Sequence, residues 1–287
     1  MEETGSAAHA ASGDASPSDM DLVASHPRWY HTMDLGNGVV TPGWFDLRPI
    51  IDDLPWPDVA GKRCLDVGPY DGFIAFELER RGAREVLAAD ISDWSGWDWP
   101  LRRREVGPRI MAQAAEPDPG AGLKLAKRML GSDVERIEVN VYDLDPDRIG
   151  TFDVVTCGSL MLHLRDPVRA LEAIRSVCAG CLLSAEQIDL ALTVLRPRTP
   201  SGRFRAGDRC QWWIPNAAGH QALVRSAGFR VLERTRPYTN RFGVAHPPRT
   251  HRDRGWQIAS RLFAGGAGVP HSALLAEPQP IETEIPD

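Results

Sequence analysis

Lysine is nearly missing from this chain of 287 residues: 3 Lys stand against 30 Arg. No apolar run nears the ~20 residues needed to cross a bilayer, so a membrane span is not expected. The N-terminal stretch MEETGSAAHAASGDASPSDM has neither the apolar nor the basic region of a signal peptide, so a cytoplasmic protein is expected. Five cysteines are too few for a disulfide framework in a chain this long. Cys178 and Cys181 form a CxxC, but no second pair or His cluster completes a metal site, so a structural role is expected. The composition, 43% hydrophobic and 25% charged, is that of a soluble globular protein; it excludes wholesale disorder, collagen and coiled coil. The length fits one large domain or two small ones.

The net charge of −6 hides an asymmetry. Residues 196–262 hold 14 Arg and three acids, Asp208, Glu233 and Asp253, while the rest of the chain is strongly acidic. Such a region could meet a polyanion such as RNA. It could equally express a general preference for Arg over Lys.

Residues 1–20 are too poor in apolar side chains to offset the entropy of ordering, and a disordered acidic tail is expected. Residues 21–60, dense in Trp, Tyr, His, Pro and Gly, form an N-terminal cap, with a short strand pair around Gly36–Gly38 and a helix over 44–54. From 61 to 278 strands and helices alternate. Strands are expected at 63–67, 85–89, 136–142, 152–157, 181–185, 229–234 and 272–276, and helices at 72–82, 123–130, 167–176 and 216–227. A long insertion at 91–121 carries Trp94, Trp97 and Trp99, and a basic loop precedes residue 216. This alternation implies an α/β, Rossmann-like parallel sheet with helices on both faces. Residues 279–287 are a C-terminal tail.

The chemistry concentrates in CLDVGPYDGFIAFELERRGAREVLAADIS. A strand runs into Asp66-Val67-Gly68-Pro69-Tyr70-Asp71-Gly72 and then directly into a helix. The glycines allow a tight turn and close approach of backbone to a ligand, and the helix start offers unpaired N–H groups. Asp90 ends the next strand, where a carboxylate can accept both hydroxyls of a ribose. Asp143, expected at the end of the following strand, could reach the amine of an adenine. Acids beside the loop would repel a pyrophosphate but suit a sulfonium carrying a free amino group. The loop therefore favours S-adenosylmethionine (SAM) over a nicotinamide dinucleotide.

This segment resembles the first motif of class I SAM-dependent methyltransferases, and Asp90, Asp143 and the strand at 151–164 fall where that family's later motifs lie. The resemblance implies SAM as cofactor. Its contacts would be Asp66, Gly68, Pro69, Tyr70, Asp71, Gly72, Asp90, Ile91, Asp143, Leu144 and Ser159, with a loop acid on the methionine amino group and Asp90 on the ribose. A narrower resemblance covers roughly residues 26–278. WYHTMDLGNGVVTPGW, GSLMLHLRDPVRAL, WWIPNAAGHQALVRSAGF and VPHSALLAEP are similar to the tRNA wobble-uridine carboxymethyltransferases and their unassigned relatives. Those enzymes grip a carboxylated SAM with a Lys, a Tyr and an Arg. The matching positions here are His31, Leu162 and Ser272, none of which preserves the pattern; a Leu cannot hydrogen-bond a carboxylate and a Ser cannot replace an Arg fork.

On the acceptor side, His163 follows the fourth strand and could take a proton from a hydroxyl or amine, or serve as a structural His at a strand end. Tyr30, His31, Trp44, Glu186 and Trp213 are candidate substrate contacts, although Glu186 also reads as part of an acidic loop and each Trp as packing. The expected function is methyl transfer from SAM to an O, N or C nucleophile of a small molecule. The alternatives are a tRNA wobble-uridine-modifying transferase, an enzyme that transfers or cyclises the aminocarboxypropyl arm of SAM, and a SAM-binding protein without turnover.

Overall fold

A computed structural model of the chain describes residues 17–115, 118–208, 210–247, 258, 261–262, 264 and 266–281. The expected tail at 1–16 and the residues from 282 onward lie outside the described residues. Residues 17–20 do not belong to a tail: they open helix α1 (Pro17–Ser25). The elements that follow are β1 (Phe45–Asp46), β2 (Arg63–Val67), α2 (Phe73–Arg80), β3 (Glu85–Asp90), α3 (Gly107–Ala114), α4 (Ala121–Leu130), β4 (Glu135–Glu138), α5 (Pro146–Ile149), β5 (Phe152–Gly158), α6 (Pro167–Val177), β6 (Cys178–Gln187), α7 (Leu190–Leu195), β7 (Gly202–Asp208), β8 (Gln211–Pro215), α8 (Ala217–Ser226), β9 (Phe229–Arg234), β10 (Tyr238–Phe242) and β11 (Gly268–Pro278). No helix among the described residues is long and apolar enough to cross a membrane.

The main sheet runs β1-β10-β11-β6-β5-β2-β3-β4, with β9 also paired to β11. Strands β4, β3, β2, β5 and β6 are parallel. The sheet is mixed rather than parallel throughout, because β11 enters antiparallel beside β6 and extends the sheet through β9, β10 and β1. Strand order reverses between β2 and β5, so a crevice opens at their carboxyl ends, the place where open α/β sheets take ligands.

The alternation of side chains along β2 divides the core. Cys64 packs with the cap, α2 and α4, where Trp29, Phe73, Leu78 and Leu123 are buried. Leu65 and Val67 face the other way, toward Leu171 and Ile174 of α6 and Val224 of α8.

Several expected elements differ. No helix forms over 44–54. Pro49 cannot donate to a helical ladder, and Phe45 is drawn into pairing with Phe242 of β10 and with the cap, Thr32 N–H donating to the Phe45 carbonyl at 2.8 Å. Only a short 3-10 turn, Ile51–Asp53, remains. The strand pair around Gly36–Gly38 is reduced to a single bridge, Asp34 to Val40. The strand expected over 136–142 stops at Glu138, because the Asn140 side chain accepts the Tyr142 N–H at 3.1 Å and folds Val141–Asp143 into a 3-10 turn. The basic loop contains a hairpin, β7–β8. The alternation in Gly202-Arg203-Phe204-Arg205 is its sequence signal, and Asp208 pairs with Gln211 across its turn.

Candidate active site

Three strand ends build the floor of one cavity. β2 runs out through Gly68, Tyr70 and Gly72, whose φ values are +74°, +52° and +90°. Glycine is required at position 72, where a Cβ would lie 2.6 Å from the Phe76 ring. Tyr70 takes the same left-handed conformation without being glycine, and Ser159 after β5 repeats it at φ +51°. Such positions store roughly 1–3 kcal/mol of strain and persist where the surroundings over-determine them. Both side chains face the cavity.

The cavity measures about 890 Å³, near the top of the ~300–1,000 Å³ range of small-molecule sites. Gly68, Tyr70, Asp90, Ile91, Ser159 and His163 line it from the strand ends. Tyr30, His31 and Trp44 close it from the cap, Trp94, Trp97 and Met111 from the insertion, and Cys210 and Gln211 from the hairpin.

Asp90 ends β3 half-buried. Its Oδ1 accepts the Ile91 N–H at 2.8 Å. Burial raises its carboxyl above the ordinary range, against the pull of that bond and of the Arg136 charge. Arg136 is itself fixed by the Ile91 carbonyl at 2.7 Å and by Glu138 at 2.8 Å. On the far wall, Val139, Asn140 and Val141 face the cavity where an acid had been expected. These residues fit an adenosine group. Asp90 can accept the hydroxyls of a ribose, and Gly68 leaves the backbone open to the cavity, where a Cβ would press on the Leu160 methyl groups at 3.2 Å.

His163 sits in a 3-10 turn after β5. Its Nδ1 bonds the Cys210 carbonyl at 2.8 Å. A carbonyl only accepts, so Nδ1 carries the proton and Nε2 keeps its lone pair. Burial lowers the imidazole pKa below 6.5, partly offset by that carbonyl. The Trp97 ring meets His163 at right angles, 5.0 Å between centroids, and stacks on Trp94 at 5.4 Å.

Other expected site residues lie off the cavity wall. Asp71 is 1% exposed and faces the cap: it accepts the N–H groups of Tyr30 at 2.8 Å and His31 at 2.7 Å and meets His31 Nδ1 at 2.5 Å. Asp66 lies beneath the loop, where Thr156 donates to its Oδ1 at 2.8 Å and burial pushes its pKa up to about 7. Asp143 is exposed in its 3-10 turn, since β4 ends early, and Leu144 is core. Pro69 and Gly72 shape the loop but do not line the cavity. Glu186 is not part of a solvated loop. It is buried at the end of β6, accepts the N–H groups of Leu160 at 3.3 Å and Met161 at 3.2 Å, and has its pKa raised to about 8 by burial. Trp213 packs on the outer side of the hairpin against Phe204. Arg28, Asn140 and Cys210, which sequence reasoning did not single out, do line the cavity. Cys210 acts through its backbone, which leaves no signal in residue type.

A mixed sheet whose parallel strands end in a glycine loop, a ribose-ready acid and a histidine-bearing turn defines a Rossmann-like domain of the methyltransferase kind. The methyltransferase-domain family matches residues 46–234, and the chain belongs to it. Among curated proteins, the ubiquinone biosynthesis O-methyltransferase of Acinetobacter baumannii (strain AYE) is 31% identical over 129 residues, 43% of this chain and 44% of that one. Its namesake from Neisseria meningitidis (strain Z2491) is 32% identical over 116 residues, 40% of this chain and 39% of that one. The matched segment thus spans less than half the length of either relative. Among solved structures, the N-terminal domain of EvdMO1, determined in the presence of SAH and D-fucose, shares the fold with a TM-score of 0.50 at 15% identity, over 91% of this chain and 96% of that one. Among the described residues, no group of three His, Cys, Asp or Glu is placed to hold a metal ion.

Proposed function

We propose that the chain transfers a methyl group from SAM to a nucleophile of a small molecule held in this cavity. The observation that carries the reading is the meeting of Gly68, Asp90 and His163 around one space. SAM, when bound, supplies an electrophilic methyl group on a sulfonium. Asp90 accepts the ribose hydroxyls, Gly68 admits the cofactor to the backbone, and Ile91 and Val141 flank the base. Tyr30, His31, Trp44 and Ser159 enclose the methionine arm and the acceptor. His163 Nε2 receives the acceptor's proton. Residues 61–278 form the SAM-binding domain and 21–60 its cap.

Two observations support a small acceptor and the plain donor. Part of the Arg-rich region is neutralised within the fold, Arg203 by Asp189 at 2.6 Å and Arg230 by Glu277. Of the positions where the wobble-uridine enzymes grip a second carboxylate, Leu162 lines the cavity as an apolar side chain, and Ser272 is tied to buried His220 at 2.8 Å. A desolvated unpaired carboxylate costs several kcal/mol, so carboxylated SAM should compete poorly with SAM in a displacement titration. Tighter binding of the carboxylated donor would replace this reading with the wobble-uridine one.

Calorimetric titration with S-adenosylhomocysteine tests the cofactor site. Asp90→Ala removes the ribose acceptor and is expected to weaken binding by about 1–3 kcal/mol. Equal affinities would remove the ribose assignment, and no binding by the wild type would remove the function.

A further inference from the structure

The acceptor half of the cavity is unusual in what it offers. Beside His163 the wall is aromatic and apolar, with Trp94, Trp97, Met111 and Leu162. Asp98 lies on this wall too, its Oδ2 accepting both the Tyr142 hydroxyl at 2.6 Å and the Arg165 N–H at 2.7 Å. Glu186, behind the same turn, is occupied by the N–H groups of Leu160 and Met161. His163 presents a neutral proton acceptor here, Nε2, kept as a lone pair by the Nδ1 bond to the Cys210 carbonyl. From this geometry we infer that the acceptor is a planar aromatic hydroxyl compound, a phenol held against Trp97 with its O–H on His163 Nε2. This inference rests on the methyltransferase reading and names its substrate class.

The wall and the base agree on that class. A flat π-system packs against the Trp94–Trp97 pair with large apolar burial and favourable ring contacts. An imidazole with pKa below 6.5 is a weak base. A phenol, ionising near pH 10 as tyrosine does, is a modest step uphill from it. A hydroxyl as weakly acidic as water, near 15.7, is far further uphill. No charged group perturbs His163; its shift comes from burial and the Cys210 carbonyl. In the transfer, the phenol proton passes to Nε2 and the oxygen pair forms the O–CH3 bond. The C–S bond breaks toward sulfur, giving an aryl methyl ether and S-adenosylhomocysteine, and the imidazolium then releases its proton to water.

The experiment uses the full chain saturated with S-adenosylhomocysteine. Binding of 2-naphthol is measured by calorimetry and the visible phenolate band of bound 4-nitrophenol by absorbance. Both phenols, D-fucose and cyclohexanol are then offered with SAM. We expect naphthol to bind and be methylated, and fucose and cyclohexanol to be inert. Trp97→Leu should weaken naphthol binding at least tenfold. His163→Gln should shift the ionisation of bound nitrophenol. It should also slow naphthol methylation by about 10²–10⁴-fold while slowing nitrophenol far less, because nitrophenol loses its proton without help near neutral pH. A merely structural histidine would affect both phenols alike, and that result would overturn the role given to His163. Turnover of fucose or cyclohexanol without the phenols, or no phenol binding in a protein that still binds S-adenosylhomocysteine, would overturn the substrate class alone. Failure to bind S-adenosylhomocysteine would instead remove the parent reading.

Discussion

At the scale of single residues, the site depends on positions where one atom decides. Gly68 and Gly72 both have positive φ, yet their surroundings differ. A methyl group at 72 would meet the Phe76 ring at 2.6 Å and Leu123 at 3.0 Å, whereas at 68 it would meet terminal methyls of Leu160 at 3.2 Å. A left-handed conformation costs an alanine about 1–2 kcal/mol by itself. Gly72→Ala adds overpacking to that and should destabilise by about 2–5 kcal/mol in total. Gly68→Ala should stay near the backbone cost, because the Leu160 side chain can turn away. Its larger effect should be on S-adenosylhomocysteine affinity, since the new methyl group faces the cavity. Urea unfolding and calorimetry on the two variants check both halves. Equal destabilisation would show that the Leu160 side chain cannot yield.

At the scale of elements, the cap and the glycine loop are one unit. Asp71 lies in the loop but spends its oxygens on cap residues Tyr30 and His31, both of which line the cavity. The cap is also pinned by Trp29, 1% exposed, whose Nε1 donates to the Val23 carbonyl at 2.9 Å. Removing the Asp71 carboxylate strands two backbone donors, each costing about 1–3 kcal/mol when buried. Asp71→Ala should therefore lose about 2–6 kcal/mol and expose residues 21–60 to protease before the sheet unfolds. Asp71→Asn keeps an oxygen for one backbone donor and should lose less. Limited proteolysis alongside urea melts separates these outcomes, and a cap that resists cleavage in Asp71→Ala would show that Trp29 and its neighbours hold it alone.

At the scale of the whole molecule, buried ionisable groups under the site set the pH range of stability. His220 and His271 have pKa values lowered by burial to about 3 and about 4 from 6.5. The unfolded chain takes up their protons first, so their contribution is complete above pH 6.5 and is lost as pH falls toward 4 and 3. Asp66 and Glu186 move the opposite way, raised by burial to about 7 and about 8 from 3.8 and 4.5. Their contribution is complete below about pH 4 and is lost as pH rises to 7 and 8. Between about 4.5 and 6.5 the two pairs oppose each other one for one. These four groups predict a plateau of stability there and a decline on both sides. Glu186→Gln should remove most of the alkaline decline and tilt the plateau, so that stability rises with pH between about 4.5 and 6.5, as read by melting temperature across pH 3–9 at constant ionic strength.

Much of this architecture was legible without coordinates, for a physical reason. The apolar runs at 63–67, 85–89 and 152–157 are buried on both faces, so burial and local pattern agree, and each forms a strand with nearly the expected bounds. The strand–glycine loop–helix unit and Asp90 follow from the same short-range logic. What sequence pattern could not reach was contact between distant segments. Asp71 reads as a ligand acid from its loop, and only the folded cap, 40 residues upstream, shows where its oxygens go. Glu186 reads as a solvated acid until the turn after β5 folds over it. The Nε2 lone pair of His163 exists because a hairpin 47 residues downstream brings the Cys210 carbonyl within 2.8 Å. The chain's local pattern determined the sheet and the cofactor loop, because propensity and burial act over a few residues. The tertiary structure alone decided which polar atoms remain open to a ligand, because hydrogen bonds saturate, and their partners come from anywhere in the chain.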